Sequence, residues 1–423
     1  MESRFTSYCF LVATLIFSLS WASLSFAQDQ YVVEMGPMPG HFTDTTETHW
    51  FLLRKTPASP SGTAATLEQH VEIFKKRMEV KSVEIKQEAL LGDREVAWVH
   101  LKRLAPTLPK DTINFLTGSC AFQYPFPLNA GGKRRRLNQI FASMAKEEAD
   151  FMVWTGDNVY YLAGEWNSYE GMVKKMLKSR MRYPIDIFLK SCPQYAIWDD
   201  HDYGPNDSDG KFKLKDTSLA VFKKFWANPY YGTETQNGVF THFSQGDCDF
   251  ILLDSRYDCD KSTEVRKLLG DKQMEWLKET LLASKANFKF IFSGTQFLPV
   301  EQSGETWGKF PKEHGDFMKF LSDNNITGVI LVSGDRHYSE LNKQERPGTY
   351  PLYEFTCSPL TSFMDPSYPK NNPFRVEGTA IRTQNYGRVK VFDDGAERVC
   401  RLEEFDRKGK LIWTYDIKLS ELK

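Results

Sequence analysis

Apolar residues fall along this chain in three successive rhythms. From Gln28 to about Asp111 the apolar runs are short: Tyr31-Val32-Val33, Trp50-Phe51-Leu52-Leu53, and a run from Val96 to Leu101, each the length of a strand. The turn-rich stretch Pro57 to Gly62 interrupts them, and Thr66 to Lys76 has the spacing of one amphipathic helix. This predicts a small β-rich module, with Pro106 to Pro109 as a linker. The rhythm then changes to strand, helix, strand. Ile113 to Leu116, Phe151 to Trp154, Tyr195 to Trp198, Phe250 to Leu253, Phe288 to Phe292 and Val329 to Val332 are continuous apolar strands; helical spacing separates them at Leu137 to Glu148, Glu170 to Arg180, Lys272 to Ser284 and Glu313 to Asp323. Strands of this kind, apolar on every position, predict an α/β sheet buried on both faces. From Tyr350 the pattern is strand-like again, through Gly387 to Val391, and closes on a hairpin in which Lys408-Gly409-Lys410 turns between Glu403-Glu404-Phe405 and Leu411-Ile412-Trp413.

The first residues change the picture of location. Arg4, the apolar run Phe10 to Leu19 and the small residues of Ser25-Phe26-Ala27 read as a cleaved export signal over 1–27, which predicts a secreted or periplasmic protein. No arginine pair and no cysteine mark the cut, so general export is expected rather than lipid anchoring. No later run approaches the roughly 20 residues of a transmembrane helix. At 423 residues the chain suggests about two or three domains, divided here as 28–111 and 112–423. The formal net charge of -1 gives no overall field toward nucleic acid or anionic membrane. Beyond the signal lie Cys120, Cys192, Cys248, Cys259, Cys357 and Cys400, too scattered for a disulfide scaffold. Cys248 and Cys259 could meet only if the chain folds back around Ser255 to Asp258.

The candidate chemistry begins at Asp199-Asp200-His201-Asp202. Three clustered aspartates repel one another and resist burial unless a cation compensates them, which points to a metal site. Cys120, Asp157, Asp200 with His201, and Asp335 with His337 each follow a strand, and strand ends of an α/β sheet lie along one rim. A lone Gly-Asp after a strand is usually a turn; four such segments together are a site. Asp157 can bridge two cations, Asp200 and Asp335 add oxygen donors, and His337 adds an imidazole. Tyr160 follows Asp157 by three residues, and a phenolate ligand, like a Cys120 thiolate, suits a ferric ion. The bland readings are a core aromatic for Tyr160, beside Tyr161, and an inert buried thiol for Cys120. His41, His49, His70, His100, His242 and His314 fall outside the pattern. The basic run Lys133 to Arg136 reads as a solvated helix approach, or as an anion-attracting rim.

Gly118-Ser119-Cys120, Gly156-Asp157-Asn158-Val159-Tyr160, Trp198-Asp199-Asp200-His201-Asp202, Leu253-Asp254-Ser255-Arg256, Leu269-Gly270 with Gln273 and Trp276-Leu277, and Ser333-Gly334-Asp335-Arg336-His337 together resemble the ordered motifs of the alkaline phosphatase D family, a branch of the calcineurin-like metallophosphoesterases. The resemblance covers about Gly118 to His337, roughly half of the chain. It implies a metallophosphatase-type layered β-sheet core flanked by helices over 112–423, and a small immunoglobulin-like, β-sandwich-like module over 28–111. It implies iron (Fe3+) and calcium (Ca2+), with other divalent metals as alternatives: Cys120, Asp157 and Tyr160 on the iron side, and Asp200, Asp335 and His337 completing the cluster. His201 would face the phosphate, Arg336 would contact it or form a salt bridge, and Asp199, Asp202 and Asn206 would stand behind the ligands. The aspartate and histidine pair of the wider superfamily's first motif is replaced by Gly118-Ser119-Cys120, and the twin-arginine signal frequent in the branch is missing. Gly204-Pro205 shifts the spacing to Asn206.

The expected activity is hydrolysis of a phosphoric ester, small-molecule or lipid, by a metal-activated hydroxide or oxide: an alkaline phosphatase with phosphodiesterase activity. The alternatives are a dedicated phosphodiesterase or phospholipase-type hydrolase on the same metals, and a secreted binding protein whose metal cluster is structural. No binding to a nucleic-acid scaffold is expected. Specificity is assigned to loops such as Leu162 to Tyr169 and Ser303 to Lys312.

Overall fold

The computed structural model describes residues 30–56, 65–107, 110–123, 138–262, 264–298, 304–364 and 371–423. The expected export signal, the turn at Pro57 to Gly62, the basic run Lys133 to Arg136 and the Leu108-Pro109 end of the expected linker lie outside the described residues.

Four strands and one helix build the N-terminal part: β1 (Gln30–Phe42), β2 (Thr46–Thr56), α1 (Leu67–Arg77), β3 (Val80–Leu91) and β4 (Arg94–Arg103). The expected helix starts at a capping box, with the Thr66 hydroxyl accepting from the Gln69 amide and the Gln69 side chain accepting from the Thr66 amide. The strands form a single antiparallel sheet in the order β1-β2-β4-β3 rather than the paired sheets of a sandwich. The second layer is supplied differently. Phe51, Leu53, Ala97 and Val99 turn to α1, while Trp50, Leu52, Val96 and Trp98 turn the other way and join the main core. β3, too polar to show as an apolar run, completes the sheet.

Among the described residues twelve further strands form two six-stranded sheets. In chain order the elements are β5 (Ile113–Gly118), α2 (Gln139–Met144), β6 (Phe151–Thr155), α3 (Tyr169–Arg180), α4 (Ile185–Phe188), β7 (Gln194–Ile197), α5 (Asp200–Tyr203), α6 (Lys215–Phe225), β8 (Thr241–Gln245) and β9 (Cys248–Leu252). Then come α7 (Asp271–Ala283), β10 (Phe288–Ser293), α8 (Pro311–Asp323), β11 (Val329–Ser333), β12 (Glu340–Gln344), β13 (Leu352–Thr356), β14 (Asn385–Asp393), β15 (Arg398–Asp406) and β16 (Leu411–Lys418). The sheet orders are β16-β15-β14-β5-β6-β7 and β12-β13-β11-β10-β9-β8. All six apolar strands expected from the sequence are present, five of the strand pairs between the core strands being parallel: β5 with β6, β6 with β7, β9 with β10, β10 with β11 and β11 with β13.

The two sheets pack face to face through rings. Phe115 of β5 lies 5.3, 5.2 and 6.1 Å from Phe250, Phe290 and Phe292 of the opposite sheet, edge-on contacts that aromatic pairs favour. Helices cover the outside, so each core strand is buried on both faces. Parallel strands of both sheets end toward one rim, where the polar segments after β5, β6, β7 and β11 meet. The six cysteines of the described chain are all buried and unbridged. The fold-back that Cys248 and Cys259 would need does not occur, because Cys248 opens β9 in mid-sheet and Cys259 lies past the far end of that strand. Among the described residues no helix is long and apolar enough to cross a membrane.

Candidate metal centre

Three of the four segments at the rim, those after β5, β6 and β11, are bent sharply where the polar side chain leaves the strand. Cys120, Asp157, Asp335 and His337 have φ of 58°, 55°, 62° and 54°, the left-handed region that residues other than glycine rarely occupy and that concentrates at functional sites. The bends admit close packing of one loop on another. Gly156 (φ 88°) has no room for a Cβ, which would stand 2.6 Å from Asp199 Cβ; at Gly334 it would stand 2.5 Å from the Thr155 carbonyl oxygen. Backbone bonds then tie the loops together: Ala121 N–H to the Asp157 carbonyl (2.9 Å), Tyr161 N–H to the His201 carbonyl (3.0 Å) and Leu360 N–H to the Ser119 carbonyl (2.8 Å).

The Asp199 to Asp202 cluster forms the single turn α5, and its members separate in role. Asp202 is an anchor. Its carboxylate accepts from the amides of Asp199 (2.7 Å), Asp157 (3.3 Å) and Asn158 (3.1 Å), and from Asn158 Nδ2 (2.6 Å), joining two of the loops at one point. Asp199 is paired instead, with Oδ1 2.5 Å from Nε of the fully buried Arg256, while its Oδ2 is buried without a hydrogen-bond partner. Arg256 in turn pairs with Glu305, and Glu305 with Lys261. Asp200 is the member aimed outward: Oδ2 accepts from the Asp207 amide at 2.6 Å, and Oδ1 is buried without a hydrogen-bond partner.

Among the described residues three groups of ligand-type atoms result, in each of which all atoms lie within 4.8 Å of one another: Cys120, Asp157 and His337; Asp157, Asp200 and His201; and Asp200, Asp207 and Glu305. Asp157 belongs to the first two and Asp200 to the last two, so the groups form a chain. The Tyr160 hydroxyl reaches the first, 3.1 Å from His337 Nε2, while its ring stacks on His201 at 4.1 Å. Cys120 Sγ lies 3.6 Å from Asp157 Oδ2 and 3.4 Å from the Asp335 carbonyl oxygen.

Of the residues singled out in the sequence, Cys120, Asp157, Tyr160, Asp200, His201 and His337 are therefore brought together. Asp335 adjoins them through its carbonyl, but its carboxylate falls outside the three groups and lies 3.7 Å from Arg336 Nη1. Arg336 is buried, its Nε 3.4 Å from the Tyr338 hydroxyl, and Gly304 packs directly over its guanidinium. The Asn206 side chain is exposed; its neighbour Asp207 takes the place beside Asp200. Sequence reading missed Asp207, Glu305 and Ser358. Ser358 had a visible signal, since it too follows an apolar strand, β13, which the strand-like tail pattern from Tyr350 does not set apart.

The electrostatics call for a cation. Burial pushes the Cys120 thiol up to about 12, and the Asp335 charge adds to this. Burial, then the charge of Asp200, holds Asp157 well above the usual carboxylate range, and burial with the charges of Asp157 and Cys120 raises Tyr160. Burial raises Asp335 to about 6 despite Arg336, and it lowers His201. Every one of these donors is thus driven toward its neutral form, a cost that a bound metal ion reverses. Together with the partnerless Asp200 Oδ1, a donor set of thiol, phenol, carboxylate and imidazole fits a metal cluster with one softer and one harder end.

The comparisons with known proteins agree with this geometry. A model described as PhoD-like phosphatase matches residues 118–400. Alkaline phosphatase D of Bacillus subtilis (strain 168) is 25% identical over 252 residues, which are 47% of this chain and 43% of that protein, so the match spans less than half of the relative's length. A solved structure of PhoD superposes with a TM-score of 0.65 at 15% identity, over 93% of this chain and 91% of the other. The purple acid phosphatase PPD1 from yellow lupin (Lupinus luteus) seeds superposes with a TM-score of 0.57 at 11% identity, over 92% and 74%. At these identities the structural likeness establishes a metallophosphatase fold.

Proposed function

The chain belongs to the PhoD-like phosphatase family, and from that premise we propose that it is an exported, metal-dependent phosphoric ester hydrolase acting on monoesters, with activity on diesters. The observation that carries the reading is the sharing of Asp157 between two compact ligand groups, as a two-metal site requires. Cys120, Asp157 and Tyr160, with His337 beside them, would hold iron, and Asp200 would complete a cluster that includes calcium, with Asp335 adjoining it. Such cations neutralise phosphoryl oxygens and acidify water when bound. Export rests on the pattern of the first 27 residues.

The chain's own residues then have separable tasks. His201, its pKa lowered by burial, is a neutral imidazole at alkaline pH, with one ring N–H to give to a phosphoryl or leaving-group oxygen. The stacked Tyr160 ring fixes the plane of that imidazole. Arg336 contributes positive charge beside Asp335, with Gly304 packed on its guanidinium. The test is turnover of a phosphomonoester and a bis-ester by one metal-analysed preparation, with Asp157→Asn beside it. Loss of turnover in the variant supports the reading; full metal content without turnover in the wild type favours a structural cluster in a binding protein. Absence of iron and of a phenolate charge-transfer band would reject the iron assignment alone.

A further inference from the structure

We propose that Phe363 and Met364, with Phe122 behind them, form an apolar lip that selects phosphoric esters whose alcohol carries an apolar group, an inference that rests on the hydrolase reading and names its substrate class. Phe363 is 56% exposed and Met364 39% exposed. Single exposed apolar residues are ordinary on protein surfaces, but these two are consecutive and held in place. The amides of Thr361 and Ser362 donate to the carbonyl of Cys120 (3.2 and 3.1 Å), and Thr361 Oγ1 donates to the Phe122 carbonyl (2.9 Å). Gln384 Nε2 donates to the Ser362 carbonyl at 3.0 Å and lies 3.8 Å from Met364 Sδ. The segment is therefore tied to the loop that carries the thiol.

The lip also touches the metal-side residues. The Phe363 ring stands edge-on to His337 with centroids 4.8 Å apart, and the half-buried Phe122 stands edge-on to Tyr160 at 5.0 Å. A Phe that served only to support His337 would cover its ring; here more than half of its surface faces solvent. Inward of it the donors are carboxylates, a thiol and imidazoles, whereas Phe363, Met364 and Phe122 carry no charge. That division matches a two-part ligand, with a phosphoryl end at the ligand groups and an apolar alcohol over the lip. Aromatic and aliphatic alcohols share this chemistry, and different esters separate them.

The test measures kcat/KM of the full-length, metal-loaded protein for phenyl, hexyl and glycerol phosphate, and calorimetric binding of phenylphosphonate against methylphosphonate. Phe363→Ala is expected to lower kcat/KM for phenyl phosphate about tenfold, through KM, which is the discrimination one apolar contact supplies. Hexyl phosphate follows if aliphatic chains use the same lip, and glycerol phosphate, whatever the packing of Phe363 on His337 costs it, falls by distinctly less than phenyl phosphate. Phe363→Leu retains most of the preference, and Met364→Ala loses a smaller part of it. An equal fall on all three esters, or a wild type without preference between the two phosphonates, overturns the lip. Phosphonate preference without turnover overturns the hydrolase reading and keeps the lip; turnover without preference does the reverse.

Discussion

The Ser358 hydroxyl donates to Cys120 Sγ at 3.1 Å while accepting the His337 backbone N–H at 2.9 Å, so one buried side chain fixes the thiol and the imidazole of the same ligand group. Partners of this kind orient metal ligands, and removing one typically weakens metal affinity about 10–100-fold. Ser358→Ala is expected to lose metal affinity by that factor in a competition titration. With the metal removed, Cys120 should also become less reactive toward a thiol reagent, because its anion has lost a hydrogen bond. Ser358→Thr should restore much of both. Unchanged affinity in Ser358→Ala would show that the backbone alone positions the ligands.

Asp202 should matter to the fold more than to the chemistry. Its carboxylate takes four N–H donors, and Asp202→Asn would set an NH2 against one of them. A buried network broken in this way costs about 2–4 kcal/mol. The expected result is a lower urea midpoint in metal-free protein, before any metal is added. An unchanged midpoint with weaker metal binding would instead make Asp202 a ligand.

Asp157→Asn should have effects of opposite sign with and without metal. In chelator, burial and then the charge of Asp200 oppose ionisation of Asp157, so folding must neutralise a carboxylate that the unfolded chain keeps ionised; asparagine has no such cost and is expected to raise the melting temperature by about 2 °C or more. Asparagine tolerates the left-handed backbone at this position. In excess metal the order reverses, since the variant gains less from the ion. Melting curves in both conditions that shift in the same direction would argue against Asp157 as a shared ligand.

The sequence made the site legible where chemistry coincided with strand ends. Cys120, Asp157, Asp200 and His337 all follow continuous apolar strands, and parallel strands must end together. Asp207 and Glu305 escaped because they sit in irregular segments whose path depends on tertiary contacts, Glu305 on Arg256 and Lys261. The N-terminal sheet was half legible for a related reason. β2 is apolar on consecutive positions, Trp50 to Leu53, which says that both faces are covered but not by what. One face meets α1 and the other the main core, where the family resemblance implied a second sheet.

That double burial leads to the proposal that 28–111 and 112–423 unfold as one cooperative unit. Trp50 is fully buried, its Nε1 donates to the Lys224 carbonyl at 2.8 Å, and its ring lies 6.1 Å from Phe225 and 5.7 Å from the Arg180 guanidinium. Trp50→Ala is expected to cost about 3–5 kcal/mol. Hydrogen exchange should then accelerate alike in β4 and in β10. Acceleration confined to β1 through β4 would show a separate domain.

Asp249 supplies a pH dependence remote from the metal centre. It is buried at the start of β9, where Ser244 of the edge strand β8 and Ser284 after α7 each donate to its carboxylate at 2.5 Å, with His242 Nε2 at 3.3 Å. Burial raises its pKa, but the neighbouring His242 and the bonds from Ser244 and Ser284 outweigh burial and hold it at about 2, below the ordinary 3.8. Between those values the unfolded chain binds a proton that the folded protein refuses. The stabilisation is therefore complete above about pH 4, erodes as the pH falls toward 2 and is gone below that, amounting to about 2 kcal/mol. Asp249→Asn lacks this contribution at every pH. Urea unfolding of both proteins should show a stability gap that narrows by about 2 kcal/mol between about pH 5 and pH 2; a gap that widens over that range would mean that burial, not hydrogen bonding, governs this carboxylate.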